Sequence, residues 1–154
     1  MQGHLQAFGT AIDQRKLRDF LDHLKAIGLR ILVTEHDVDD SGGPSDVAVR
    51  DRAVADTSRR FLDVVLDNTA TTAVLTWGLS DRFVDPRGLK ATLAGYSPRI
   101  LPYDSAFHRK PMWLAMVDSF SRARPVVNAG LIPHKPAPVK PSSVPEPLNS
   151  PTAF

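Results

Sequence analysis

The sequence predicts an α/β fold in which parallel strands alternate with helices. Three observations predict it. Strand-like and helix-like patterns alternate as β-α-β-α-β-α, an order that implies parallel strands joined by right-handed crossovers. The two clearest strand candidates, "LRILVTE" and "TTAVLTWG", are short, β-branched and apolar throughout, as a sheet covered on both faces requires. The helical patterns between them carry their own start and stop residues. Doubly wound open sheets and (β/α)8 barrels both satisfy this order, and in either one ligands meet the C-terminal ends of the strands.

The elements follow in turn. "MQGHL", Met1 to Leu5, reads as the end of a first strand. Residues 14 to 27 read as a helix, with Asp13 as N-cap and Gly28 as the C′ stop. Leu17, Phe20, Leu21, Leu24 and Ile27 are its expected inner face. "LRILVTE" is the second strand, followed by "DDSGGPSD", a loop rich in Gly, Ser, Asp and Pro. Asp46 to Leu66 reads as a long helix with Val47, Val54, Phe61, Leu62 and Val65 inward. "TTAVLTWG" is the third strand. The connection from Leu79 to Lys110 is too long for a simple link. Pro111 then opens the last helix at N1, with Trp113, Leu114, Val117 and Phe120 expected to share the buried face.

Composition bounds the rest. The chain has 154 residues, 42% of them hydrophobic, which suffices for one domain with a core. Eight of the 13 prolines fall from Pro125 onward. Residues 1–124 are therefore expected to form the globular unit, and 125–154 a proline-rich, disordered tail. Its "PHKP" and "PVKP" match the loose PxxP pattern, which any proline-rich segment offers cheaply, so an interaction role for the tail is the weakest of the functional readings. A net charge of +2 with no basic stripe argues against nucleic acid. No apolar run approaches the roughly 18 residues of a membrane span. "MQGHLQAFGT" lacks the charged and apolar regions of a signal peptide. With no cysteine, disulfide and thiolate chemistry are excluded, but the compartment stays open.

The chemistry-bearing residues gather at strand ends. "RILVTEHDVDD" starts as a β-branched run and ends in Glu35, Asp37, Asp39 and Asp40. Side chains two apart on a strand share a face, so Gln2 projects with His4 and Glu35 with Asp37. A neighbouring strand end carries Trp77. Polar groups beside an indole suit a sugar: the indole stacks on a pyranose face, amide and imidazole bond its hydroxyls, and a carboxylate attacks or stabilises the anomeric carbon. Each residue also has a plainer reading. Glu35 can be solvated or capping, His4 structural, Trp77 part of the core, and the later acids loop-solubilising. A metal site of His4, Glu35, His36 and Asp37 is disfavoured, because His36 points away from Glu35 and no HExxH spacing exists.

Together these segments resemble the C-terminal part of glycoside hydrolase family 10, the retaining endo-β-1,4-xylanases. "MQGHLQ" resembles the family's sixth barrel strand, a Q-x-H-L segment. "ILVTEHDVDD" resembles its seventh, I-T-E-L-D-V. "TTAVLTWGLSDRF" resembles its eighth with the W-G-x-x-D continuation. "RILPYDSAFHRKPMWLAMVDSF" resembles its closing segment, where a PL-x-D phrase precedes a KP helix start. The likeness covers most of residues 1 to 120. It implies part of a (β/α)8 TIM barrel, about strands six to eight with their helices. It implies Glu35 as nucleophile, His4 and Asp37 as the neighbours that keep it ionised and oriented, Gln2 and His4 at the sugar being cleaved, and Trp77 as its aromatic wall. The implied substrate is β-1,4-xylan or a related polysaccharide, hydrolysed by double displacement with no cofactor and no metal.

Three departures accompany the likeness. His36 follows the nucleophile where the family commonly has an apolar residue. Asp85 stands where the W-G-x-x-D segment usually runs on to a second tryptophan, so one sugar platform is expected to be lost. No W-D-V-x-N-E type segment, which carries the family's acid/base Glu, occurs in the sequence. The chain thus reads as an incomplete barrel, from a truncated or split gene or a mis-called start. It is expected to lack xylanase activity alone, to be poorly soluble or partly molten, and to pair with a complementing N-terminal half or with itself through open sheet edges. A degenerate remnant or sugar-binding piece without chemistry is the alternative. A full-length family member is expected to be secreted or periplasmic.

Overall fold

The computed structural model describes residues 1–84 and 96–123; Asp85 and the proline-rich stretch 125–154 lie outside the described residues. Strand β1 (Gln2–Gln6) leads into helix α1 (Gln14–Ala26), and then β2 (Ile31–Val33) and β3 (Glu35–Asp39) follow on either side of Thr34. Helix α2 (Val47–Asp67), strand β4 (Thr71–Val74), a 3-10 turn (Asp81–Phe83) and helix α3 (Pro111–Arg122) complete the order.

Among the described residues both pairings between the named strands are parallel, as the alternating order requires. The expected single strand "LRILVTE" is split. β3 pairs with β1 and β2 with β4, so the two neighbours sit on different halves of one extended segment. The hydrogen bonding nevertheless continues across the break. Thr34 N–H donates to the Met1 carbonyl at 3.0 Å, Leu75 N–H to Val33 at 2.9 Å, and Trp77 N–H to His36 at 3.0 Å. Among the described residues no strand covers the far edge of β1 or of β4.

The helices start where short polar side chains can take their free N–H groups. Asp13 accepts from Arg15 and Lys16 at 3.1 and 3.0 Å. Asp46 accepts from Ala48 and Val49 at 2.8 and 3.3 Å. Gly28, at φ +83°, takes the left-handed turn that ends α1. Leu21, Phe61, Leu62, Val65, Ile31 and Val33 form the main core, with Leu17 and Leu24 packed against it. A smaller cluster of Val38, Val54 and Met112 lies beside it.

Three expected inner faces need correction. Phe20 and Ile27 flank the Leu17–Leu21–Leu24 line of α1 and are half exposed, because α1 packs on α2 and the short β2 along a narrow stripe only. Val47, in the first turn of α2, is also exposed. In α3 the buried residues are Met112, Ala115 and Ser119, whereas Leu114, Val117 and Phe120 are exposed. The reason is the partner: α3 packs on α2, and small residues at Ala115 and Ser119 let the two helices close. Polar links lock that contact. Ser119 Oγ donates to Asp63 at 2.8 Å, and Arg59 pairs with Asp118. The apolar face of α3 instead borders a groove of about 510 Å³ with Val74, Leu75 and Tyr103 beside the open edge of β4.

Candidate active site

The β1–β3 register builds the site. Gln2 lies opposite Glu35, Gly3 opposite His36 and His4 opposite Asp37. Strand alternation then sends Gln2, His4, Glu35 and Asp37 to one face and His36 to the other. Gln2 Nε2 donates to Glu35 Oε1 at 3.0 Å. The His4 ring spans the two acids, with Nε2 2.9 Å from Glu35 Oε2 and Nδ1 3.0 Å from Asp37 Oδ2. Both ring nitrogens thus face carboxylates, an arrangement best satisfied when both carry protons. Accordingly the His4 pKa is raised, chiefly by its hydrogen bond to Asp37; desolvation works against it, and the bond to Glu35 adds to the rise. Burial pushes the Asp37 carboxyl above the usual carboxylate range, although its bond to His4 works the other way. Glu35 keeps 17% of its side-chain surface, so its carboxylate is held on both oxygens yet still reachable.

Trp77 follows the end of β4, anchored through its backbone bond to His36. Its indole is 59% exposed and meets the His4 ring edge-on, with centroids 6.1 Å apart. Exposure on this scale removes the core reading of Trp77. His4, Asp37, Asp39, Trp77, Leu79 and Phe83 line a cleft of about 640 Å³. Gln2 and Glu35 are not in its wall and connect to it through His4. Among the described residues no group of three His, Asp or Glu side chains is disposed to hold a metal.

The back of the site holds His36, on the face expected for it, with partners that the sequence reading did not name. His36 is fully buried between β3 and α2. Its Nδ1–H donates to the Gly3 carbonyl at 3.1 Å, its Nε2 accepts from Ser58 Oγ at 2.9 Å, and the ring stacks on Phe61 at 5.2 Å. Burial pushes its pKa down to about 4, so it is held neutral. The available signal was Ser58, a hydroxyl that interrupts the apolar stripe Val54, Phe61, Leu62, Val65 where a buried polar side chain needs a partner. Gly3 completes this layer. A Cβ there would lie 2.9 Å from Phe61 Cζ and 3.2 Å from the Glu35 carbonyl. Gly3→Ala is therefore expected to cost about 1–3 kcal/mol by overpacking, seen as a lowered urea midpoint; an unchanged midpoint would show that β1 stands off α2.

A second layer of charges supports the loops. Asp40, one of the acids after Glu35, solubilises nothing: it is fully buried, pairs with Arg50 at 2.7 Å and accepts from the Tyr96 hydroxyl and from Arg99 N–H. Arg99 grips Asp51 through two bonds of 2.7 Å. Asp39 is spent on Ser41, whose N–H and hydroxyl both reach it at 2.8 Å. Asp81 accepts from Lys110 Nζ at 2.7 Å and from Leu101 N–H at 2.9 Å, and both charged side chains are 3% exposed.

Comparison with protein families matches residues 1–119 to glycosyl hydrolase family 10. The chain belongs to this family. Among solved structures, native xylanase 10B from Thermotoga maritima is 24% identical with a TM-score of 0.66. Xylanase 10B from Thermotoga petrophila RKU-1, solved in complex with xylobiose, is 26% identical with a TM-score of 0.64. Each alignment covers 78% of this chain but 35% of the other, so the family 10 chain described here spans about a third of their length. Its parallel strands and helices are part of a TIM barrel. Comparison with curated proteins finds no match.

Proposed function

We propose that this family 10 chain carries the nucleophile side of a retaining endo-β-1,4-xylanase site, on the counterparts of barrel strands six to eight. The observation that carries the reading is the double hold on Glu35, by Gln2 on one oxygen and His4 on the other, beside the exposed Trp77. A carboxylate fixed in this way beside an aromatic wall suits attack on an anomeric carbon. The bond from Glu35 oxygen to C1 forms as the bond from C1 to the departing oxygen breaks. A second carboxyl gives that oxygen its proton, then takes one from the water that releases the sugar. In retaining enzymes this partner stands about 5–5.5 Å from the nucleophile. Asp37 and Asp39, the neighbouring acids, project from the same strand as Glu35 and are held by His4 and Ser41. The reading therefore draws the second carboxyl from a complementing N-terminal half. The xylobiose bound by the Thermotoga petrophila enzyme supports xylan as the substrate class.

An activated substrate separates the two halves of the mechanism. A dinitrophenyl 2-fluoro-xylobioside needs no acid for departure of its leaving group, and the fluorine slows release of the ester. The 154-residue chain is expected to gain one glycosyl mass on the peptide bearing Glu35, and Glu35→Gln none. An unlabelled wild-type chain overturns the nucleophile assignment, and sugar binding without labelling then favours the non-catalytic binding piece. On xylan itself the chain alone is expected to release no reducing sugar. Turnover abolished by Glu35→Gln would instead show that an acid is supplied from within.

A further inference from the structure

Resting on that sugar-cleft reading, we infer that Phe83 and Phe107 form a second pyranose-stacking platform, beyond Trp77, for a further unit of the same β-linked chain. Phe83 closes the 3-10 turn, is 77% exposed and lines the same cleft as His4 and Trp77. Phe107 is 47% exposed, and its ring meets Phe83 at 6.2 Å with the planes tilted by 54°. The Arg82 guanidinium lies over the Phe107 ring at 5.8 Å. Two adjoining aromatic rings open to water, with the Arg82 guanidinium over the second to supply N–H donors, suit an apolar sugar face rimmed by hydroxyls.

The backbone of Phe107 strengthens the inference. Its φ is +64°, and among the described residues it is the one non-glycine at positive φ. A bulky side chain in that region is strained, and such strain persists only where the surroundings impose it. Here they do. Asp104 accepts from Ala106 N–H at 2.9 Å and His108 N–H at 2.8 Å through its carboxylate, and from Phe107 N–H at 3.0 Å through its carbonyl. That turn is tied to the Phe83 loop by Ser80 Oγ donating to the Asp104 carbonyl at 2.6 Å, and by backbone bonds linking Tyr103 with Leu79 and Asp81. The two ring-bearing loops therefore move as one. The strain serves no core contact, since the ring it presents faces solvent. Continuity with the cleft wall at Phe83 identifies the occupant as the next part of a glycan already stacked on Trp77.

Calorimetric titration of the full 154-residue chain with xylobiose and with xylohexaose tests the platform. Phe83→Ala and Phe107→Ala are each expected to weaken xylohexaose roughly tenfold, about the loss of one stacked ring, and to leave xylobiose unchanged. Phe107→Gly removes the ring together with the strained φ. It is expected to show the same xylohexaose loss with an undiminished urea midpoint, which separates ring loss from misfolding. Undiminished xylohexaose affinity in Phe83→Ala, or equal losses for both sugars, overturns the platform while leaving the cleft reading intact. A wild-type chain that binds neither sugar overturns both.

Discussion

Asp81→Ala is expected to destabilise the protein by about 3–5 kcal/mol, the penalty for leaving a buried charge without its partner. The partner is Lys110, 2.7 Å away and just as buried. Desolvation already lowers the Lys110 pKa, and Asp81 is the main influence holding it up. The next acid, Asp51, is 3.9 Å from Lys110 and is committed to the Arg99 fork, so it cannot take over. Asp81 also holds Leu101 N–H, so the variant removes one of the ties between the 100-loop and the 80-loop, leaving those through Ser80 and Tyr103 in place. Urea denaturation measures the loss. The double variant Asp81→Ala, Lys110→Met is expected to recover part of it, because no uncompensated charge is left, although Leu101 N–H still lacks its acceptor. A single-variant loss under about 1 kcal/mol, typical of a surface pair, or a double variant weaker than the single one, would refute the assignment. The result bears on function as well. It makes the acid of "WGLSD" a structural tie that positions Trp77 and Phe83, rather than a group that meets sugar.

How much of this was legible beforehand depends on the range of the interaction. Asp13, Gly28, Asp46 and Pro111 mark helix ends through bonds to their own neighbours, and the structure places the helices within a residue of those marks. The Gln2/His4 and Glu35/Asp37 faces follow from strand alternation alone. That His4 lies between two acids does not, because it depends on the β1–β3 register, a pairing across 33 positions that no local pattern encodes. The break at Thr34 has the same origin: β1 and β4 engage different halves of the strand. The face of α3 was misread because its most apolar stripe, Leu114, Val117 and Phe120, is not the one that meets α2. Hydropathy marks the faces able to be buried, and packing chooses among them. Asp40 was read as loop-like by composition, yet its Arg50 partner ten residues away takes it out of water.

Stability is expected to be greatest near pH 6.5 and to fall on both sides, for opposite reasons at two histidines. His36 has a folded pKa of about 4 against 6.5 for the free group. Between those values the unfolded chain binds a proton that the folded chain refuses, so stability rises with pH through this window and is lost as pH falls. At about 1.36 kcal/mol per unit, the full window is worth on the order of 3 kcal/mol. His4 acts in the other direction. Its pKa is raised by Asp37 and Glu35, so its contribution is complete below 6.5 and is lost as pH rises through the folded value. Asp37, with its pKa raised by burial, opposes His36 only at the acid end of the window. His36→Leu keeps an apolar contact with Phe61 but removes the titrating ring. It also strands the Gly3 carbonyl and the Ser58 hydroxyl, which lowers the baseline at every pH and leaves the slope to report the histidine alone. The acid slope is expected to flatten and the alkaline slope to persist, read from urea midpoints at roughly one-unit steps between about pH 4 and 9. A steep acid slope that survives the substitution would place the destabilisation among the carboxylates instead. His36 would then be a neutral spacer rather than the buried group that ties Gly3, and with it the strand carrying Gln2 and His4, to helix α2.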